Sequence, residues 1–156
     1  MSVLQIVKGC ALFQELYDKE IMDIVQYCKV LNLKKGEYIF KKGEEGNEVY
    51  LILNGSASVM RGEHVIATLR RGDLFGEMVL LKDNIRKADI KADTFTDILL
   101  IDYDDLFSYF KSDAKIFSIL MLNLARMLAT RLNKAGDKMS DLIIEINQIK
   151  SDKKAA

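Results

Sequence analysis

Residues 48–60 read Glu-Val-Tyr-Leu-Ile-Leu-Asn-Gly-Ser-Ala-Ser-Val-Met. Apolar side chains run up to Asn54-Gly55 and resume after it, and this dipeptide favours the tight turn of a β-hairpin. The stretch therefore predicts two antiparallel strands, Glu48–Leu53 and Ser56–Met60, joined by a tight turn. Arg61-Gly62 is a weaker signal of the same kind and predicts a second hairpin directly after the first.

The region around the hairpin, from about residue 30 to 103, has the same character. Seven of the nine glycines lie between Gly36 and Gly76, where they separate short apolar or alternating segments. These segments predict five more strands: Val30–Leu33, Tyr38–Lys41, His64–Leu69, Lys87–Ala92 and Asp97–Ile101. Short strands at this spacing indicate a sandwich or roll and not a parallel sheet with crossover helices.

Helical periodicity precedes and follows this β-rich region. Before it, Asp18 is the expected N-cap of a helix that runs through Cys28. After it, Asp102 is expected to cap a short helix through Phe110, and Ser112 to cap a long one. The long helix carries a coiled-coil seam in which apolar residues alternate steps of four and three: Met121, Ala125, Leu128, Leu132, Ala135, Met139, Leu142, Ile146 and Ile149.

Together these patterns predict a fold that is mainly β with flanking helices. We expect a single domain over residues 1–156: N-terminal helices, a jelly-roll-like β-roll over about 30–103, and a C-terminal helical segment over about 103–150.

Composition narrows the classes of function. Lys and Arg together number 23, as do Asp and Glu, so the net charge is zero. A chain held on nucleic acid or on an anionic membrane has an excess of cations, so we expect neither partner. No signal peptide is evident, and Cys10 and Cys28 fit no metal-ligand spacing, which favours two reduced thiols in the cytoplasm.

Residues 75–86 contain the best candidate for a binding site. Phe75-Gly76-Glu77 precedes a short apolar segment, Met78–Leu81, that favours one helical turn, whose first N–H groups suit an anion. Arg86 follows Glu77 by nine residues, and its planar guanidinium suits a phosphate. The alternative is an ordinary surface ion pair between Glu77 and Arg86.

The same residues resemble the phosphate-binding cassette of the cyclic-nucleotide-binding domains, the regulatory modules of cyclic-AMP-dependent kinases, nucleotide-gated channels and catabolite-activator transcription factors. Further matches fall in the family's order: Lys35-Gly36-Glu37, Lys42-Gly43-Glu44, Val49–Gly55 and Arg71-Gly72-Asp73. The likeness extends over roughly Leu12 to Leu142.

The resemblance implies a non-catalytic sensor of cyclic AMP or cyclic GMP, with no cofactor. It implies that Glu77 takes the ribose 2′-hydroxyl and that Arg86 pairs with the cyclic phosphate. Backbone N–H groups around Gly76, Met78, Val79, Lys87 and Ala88 would help to hold that phosphate, and Val59 and Ile66 would line the base pocket. The long helix from Asp113 would act as a lid and as the contact of a homodimer, and an effector protein remains a possible partner.

Several residues depart from the family pattern and keep a second hypothesis open. The branched Val79, the cation Lys87 and the anion Asp89 replace smaller or hydroxyl residues, and Ala135 and Gly136 replace hydroxyl residues in the long helix. These departures favour a protein-interaction or dimerisation module with a degenerate nucleotide pocket.

Enzymatic alternatives have little support in the sequence. The single histidine, His64, follows a turn and is expected to be exposed, whereas a metal site of the cupin type needs several histidines. No nucleophile-elbow motif accompanies Ser56 or Ser58. The chain also leaves no segment after the long helix for a helix-turn-helix domain, so we expect no sequence-specific DNA binding.

Overall fold

The computed structural model of the chain describes residues 2–80 and 83–155. It contains helices α1 (Val3–Gly9), α2 (Asp18–Val25), α3 (Tyr103–Ser112) and α4 (Ala114–Ala155), with short 3-10 helices at Ala11–Phe13 and Glu77–Leu80. The strands are β1 (Lys29–Leu33), β2 (Tyr38–Phe40), β3 (Glu48–Asn54), β4 (Ser56–Arg61), β5 (His64–Arg70), β6 (Leu74–Phe75), β7 (Asp89–Ala92) and β8 (Thr96–Asp102).

These strands form two four-stranded antiparallel sheets, in the orders β1-β8-β3-β6 and β2-β7-β4-β5. The predicted turn at Asn54-Gly55 is present, but the predicted hairpin is wrong: β3 and β4 do not pair with each other, because they belong to different sheets, so the turn joins one layer of the roll to the other. The hairpin at Arg61-Gly62 joins β4 to β5 within one sheet. The predicted β-roll with flanking helices is confirmed.

Two elements differ from the prediction. The strand expected over Lys87–Ala92 begins only at Asp89, because residues 86–88 stay outside the ladder with β4. The two-residue strand β6 was not predicted, since two residues are too few to show alternation. It pairs with Tyr50 and Leu51 of β3 and so places the following residues, Gly76 and Glu77, beside that strand.

Strand β3 is buried on both faces and separates two apolar cores. Val49, Leu51 and Leu53 face the helices, where they pack with side chains of α1, α2 and α4. Tyr50 and Ile52 point the opposite way, into the roll between the two sheets. Alternation along a strand explains the division, because successive side chains of a strand point to opposite faces.

Two predicted helix caps, those of α2 and α4, differ from the structure. Helix α2 begins with Asp18, and Tyr17 is its N-cap residue, with a backbone N–H that donates to Glu20 Oε2 at 2.7 Å. The helix ends at Val25, three residues before the predicted Cys28. For α4 the capping acceptor is Asp113, not Ser112: Asp113 Oδ1 accepts from the N–H groups of Lys115 and Ile116 at 3.1 Å.

The predicted cap of α3 is confirmed, because Asp102 accepts from the N–H groups of Asp104 and Asp105. Helix α3 continues to Ser112, two residues past the predicted Phe110.

Helix α4 has 42 residues, and its apolar side chains that pack on the roll lie in its first third. Ile116, Leu120 and Asn123 are buried, and the Asn123 amide donates to the carbonyls of Leu12 and Gln14 at 3.1 and 2.7 Å. From Leu132 onward the seam residues are exposed. Across residues 2–80 and 83–155, no helix combines the length and the apolar character that crossing a membrane requires.

Candidate functional site

A cleft of about 440 Å³ opens between the second sheet, the Glu77–Leu80 turn and helix α4. This volume lies within the range of about 300–1,000 Å³ that is usual for small-molecule sites. Of the predicted site residues, the cleft brings together Gly76, Glu77, Met78, Arg86, Lys87 and Ala88, with Val59 and Ile66 on its wall. It also receives residues that sequence reasoning missed: Arg61, Arg131 and Lys134.

Val79 is the predicted site residue that faces away from the cleft. Its side chain is 5% exposed and belongs to the core beneath the helices. Its N–H donates to the Gly76 carbonyl at 3.1 Å and closes the short turn. In this structure the Val79 N–H is therefore engaged within the turn, and its branched side chain lies outside the cleft. The phosphate contact expected of this N–H stays a prediction. Leu81, the predicted end of the turn, lies outside the described residues.

The Glu77 carboxylate is paired with the long helix. Arg131 Nη1 of α4 lies 2.6 Å from Glu77 Oε1, and the Glu77 side chain is only 13% exposed. The other Nη atom of Arg131 donates to the Leu74 carbonyl, at the start of β6. Arg131 thus ties α4 to the start of β6 and to the turn that follows this strand, and it closes one side of the cleft.

Arg86 is buried in the interior and is paired with Glu48 of β3. Its Nη2 lies 2.9 Å from Glu48 Oε2, and both Nη atoms donate to the Glu48 carbonyl at 3.1 Å. Nη1 also donates to the Gly76 carbonyl at 3.3 Å. A surface ion pair between Glu77 and Arg86 is therefore wrong for this structure, because each charge has a different partner.

Aromatic rings enclose the guanidinium of Arg86. Its Cζ atom lies 4.4 Å from the ring centre of Phe40 and 5.5 Å from that of Tyr50. Rings at these distances attract a cation through their quadrupole, and they also remove it from water. The same burial, with the nearby Glu48 carboxylate, raises the pKa of Tyr50 to about 12. Tyr50 therefore stays a neutral donor to Glu48 Oε2, at 3.3 Å.

The two charged departures from the family pattern have local partners. The Asp89 carboxylate accepts the Lys42 N–H at 2.7 Å, which fixes it at the connection between β2 and β3. The Lys87 ammonium forms an ion pair with Asp83, and the residue still lines the cleft. Neither charge is left unsatisfied beside the candidate anion site.

The apolar wall of the cleft comes from the β4–β5 hairpin. Val59 is half-buried and lies opposite Ala67 in the register of that hairpin. Ile66 also lines the cleft and is 43% exposed, so its side chain is open to a ligand there. Ala135 and Gly136 do not line the cleft; the α4 side chains that do are those of Arg131 and Lys134.

The missed residues differ in how visible they are in the sequence. Arg131 and Lys134 lie three residues apart, on one face of the long helix, so that a helical projection groups them. Glu48 opens a strongly apolar strand, where a carboxylate is unexpected and therefore informative. His64 is exposed, as predicted. Within residues 2–80 and 83–155, no group of His, Cys, Asp and Glu side chains is arranged to hold a metal ion.

Comparison with known proteins points to one family. The family model of the cyclic nucleotide-binding domain matches residues 30–113, more than half of the chain. The chain is 32% identical over 145 residues to the cyclic nucleotide-gated channel beta-1 of Homo sapiens, a match that covers 89% of this chain and 12% of the channel. It is 30% identical over 144 residues to the cyclic AMP receptor protein of Thermus thermophilus, covering 89% of this chain and 65% of that protein.

Among solved structures, the catabolite activator protein of Thermus thermophilus has a TM-score of 0.73 at 28% identity, covering 85% of this chain and 62% of that one. The chain therefore spans less than two thirds of each of these relatives, and only a small part of the channel.

Proposed function

The chain belongs to the cyclic nucleotide-binding domain family, and we propose that it binds cyclic AMP or cyclic GMP in the cleft as a non-catalytic regulatory module. The observation that carries this proposal is the cleft itself. It presents Glu77, Arg86 and the turn at Gly76 on one side and an apolar wall with Val59 and Ile66 on the other. A cyclic nucleotide has matching parts: an anionic phosphate, a ribose hydroxyl and a flat base.

Each part of the ligand has a proposed partner. The Glu77 carboxylate accepts the ribose 2′-hydroxyl, and Arg86 supplies positive charge to the cyclic phosphate. Backbone N–H groups of Gly76, Met78, Lys87 and Ala88 surround the phosphate. The base lies against the wall, where burial of its apolar faces contributes to affinity.

Helix α4 would report the binding event. Arg131 holds Glu77 in the absence of a ligand, so a ribose hydroxyl at Glu77 must share or replace that ion pair. Any change at Glu77 is therefore transmitted to α4 through a direct contact. This supports a lid role for the helix, with the exposed half of α4 as the surface that passes the signal to an effector.

Calorimetry and thermal-shift measurements test the proposal. We expect both to detect cyclic AMP or cyclic GMP and not a non-cyclic 5′-monophosphate. A ligand at about 100 times its Kd stabilises the native state by about 2.7 kcal/mol. Glu77→Gln is expected to weaken binding roughly tenfold or more, since a charged acceptor is lost.

Asp141→Asn, far along α4 and exposed, is the matched control and should leave binding unchanged. An absence of heat and of thermal shift at millimolar cyclic nucleotide would refute the proposal.

A second candidate function, dimerisation through α4, is favoured by the exposed seam. Leu132, Met139, Leu142, Ile146 and Ile149 are 49–75% exposed. Their spacing is that of a two-stranded coiled coil. In a parallel dimer in register, Glu145 and Lys150 occupy flanking positions where opposite charges attract across the interface. We propose a homodimer that forms through this half of the helix.

Substitutions on and off the seam test the dimer. Leu142→Asp places an uncompensated charge at the centre of the proposed interface and should yield monomers. Ile144→Asp is the control, because Ile144 is exposed to a similar degree, 56%, but lies off the seam. Light scattering at tens of micromolar protein should show dimers for the wild type and for Ile144→Asp. Monomers for the wild type would contradict the proposal.

A further inference from the structure

Arg86 already has acceptors for every Nη hydrogen. Each of its two Nη atoms makes two hydrogen bonds: Nη1 to the Glu48 and Gly76 carbonyls, and Nη2 to the Glu48 carbonyl and Glu48 Oε2. The residue is 3% exposed. A phosphate therefore cannot form two parallel hydrogen bonds to these nitrogens while the present contacts last.

The backbone at Gly46 covers the remaining edge of the guanidinium. A Cβ added to Gly46 would lie 2.3 Å from Nη2 and 2.5 Å from Nε of Arg86, so a side chain at this position would displace the guanidinium. Residues 43–48, which we call the strap, are also tied to the backbone around Arg86. The Arg86 N–H donates to the Glu44 carbonyl at 2.8 Å, and the Gly43 N–H donates to the Arg86 carbonyl at 2.9 Å.

We propose that Glu48 competes with the cyclic phosphate for the guanidinium of Arg86. Together with the strap, Glu48 holds the Arg86 side chain in a closed position, and ligand binding must break these contacts. The inference rests on the proposed function, because it concerns the same cation, Arg86, and says what limits its access to the phosphate. Glu48 is a positioning residue in this scheme and acts through Arg86. It lowers the affinity for nucleotide, and it couples binding to a movement of the strap.

The hydrogen bonding of Glu48 makes this exchange reversible. Its Oε2 also accepts from the Asn47 N–H at 3.1 Å and the Tyr50 hydroxyl at 3.3 Å, so it keeps two donors when Arg86 leaves. The Glu48 side chain is 33% exposed, against 4% for Arg86. Water can therefore replace the lost contact on the acid, while a phosphate replaces it on the cation.

Two independent substitutions test the proposal. Glu48→Gln removes the competing charge but keeps the size of the side chain. Gly46→Ala places a methyl group where the guanidinium lies, so the end of that flexible side chain must shift from its present contacts. We expect each to raise the affinity for the cyclic nucleotide about tenfold by calorimetry and to lower the urea midpoint of the free protein.

Each variant has a matched control. Glu45→Gln removes the same charge from an exposed position of the strap. It shows whether the effect of Glu48→Gln comes from the direct contact with Arg86 or only from the loss of one negative charge near the site. Gly9→Ala adds a methyl group that has no atom of the described residues within 4 Å, apart from its chain neighbours and the backbone of its own helix. Both controls should bind as the wild type does. If Gly46→Ala fails to fold, Glu48→Gln still decides the question.

The outcomes separate the inference from the proposed function. Tighter binding by Glu48→Gln or Gly46→Ala supports the inference, even if the wild type binds too weakly to measure. Wild-type binding that both variants leave equal or weaken overturns the inference and leaves the proposed function standing. An absence of binding by the wild type and by both variants overturns the two together.

Discussion

Gly76→Ala perturbs the point where the candidate site meets the core of the roll. Gly76 has a φ of +84°, which an alanine adopts only with strain. An added Cβ would also lie 2.9 Å from the Glu48 carbonyl and 3.0 Å from Tyr50 Cδ2. These atoms belong to a buried strand and a packed ring, so neither can move away freely.

Backbone strain and overpacking together determine how much Gly76→Ala lowers the free energy of unfolding. A left-handed backbone costs a non-glycine residue about 1–2 kcal/mol, and forced overpacking adds about 1–3 kcal/mol. We therefore expect Gly76→Ala to lower the free energy of unfolding by about 2–5 kcal/mol. Gly62→Ala separates the backbone cost from the overpacking cost. The φ of Gly62 is +60°, but among the described residues an added Cβ would have no atom within 4 Å except those of its chain neighbours. Gly62→Ala should cost only the backbone part, about 1–2 kcal/mol.

Urea unfolding followed by circular dichroism measures both variants at equal m-values. The difference between them reports the close approach of the Gly76 turn to β3. If Gly76→Ala costs no more than Gly62→Ala, the turn does not lie against the Glu48 carbonyl. The geometry described for Arg86 would then be wrong as well, since Arg86 donates to the carbonyls of both Glu48 and Gly76.

Two further predictions concern stability. Asn123→Leu leaves the Leu12 and Gln14 carbonyls without their amide donor, so the free energy of unfolding should fall by about 2–4 kcal/mol. A loss below about 0.5 kcal/mol would show that the amide does not hold α4 on the roll. Burial raises the pKa of the Cys10 thiol from 9.0 to about 11. The folded state therefore keeps a proton that the unfolded chain releases, and stability should fall as pH rises from about 9 to 11. Cys10→Ala should show a smaller fall across that window, and an equal fall would assign the effect to other groups.

Local signals in the sequence predicted most of the fold. Asn54-Gly55 predicted a tight turn because a turn depends on two adjacent residues, and Asp102 predicted the start of α3 because a cap bonds within one turn. The turn joins two sheets and not two paired strands, since strand pairing depends on residues far apart in the sequence. The prediction at Asp18 was wrong for a similarly local reason. Glu20 binds back to the Tyr17 N–H, and Asp18 forms an ion pair with Lys8 at 2.6 Å instead of capping the helix.

The candidate site was predictable in its residues but not in its pairings. Gly76, Glu77 and Arg86 were found from their spacing and from a family resemblance, and the structure brings them to one cleft. Their ion-pair partners come from other elements: Glu48 lies 38 residues before Arg86 in the sequence, and Arg131 lies on α4. Sequence spacing carries no information on which of several charges meet across a roll, so the Glu77–Arg86 alternative could not be decided beforehand.

An NMR titration of backbone amides tests the central claim most directly, because it locates the ligand as well as detecting it. The account predicts that cyclic AMP or cyclic GMP shifts the amide signals of Gly76, Met78 and Ala88 in a saturable way, together with those of the strap. A non-cyclic 5′-monophosphate should leave these signals in place. Unchanged signals at millimolar cyclic nucleotide, or shifts confined to α4 beyond Ala135, would contradict it.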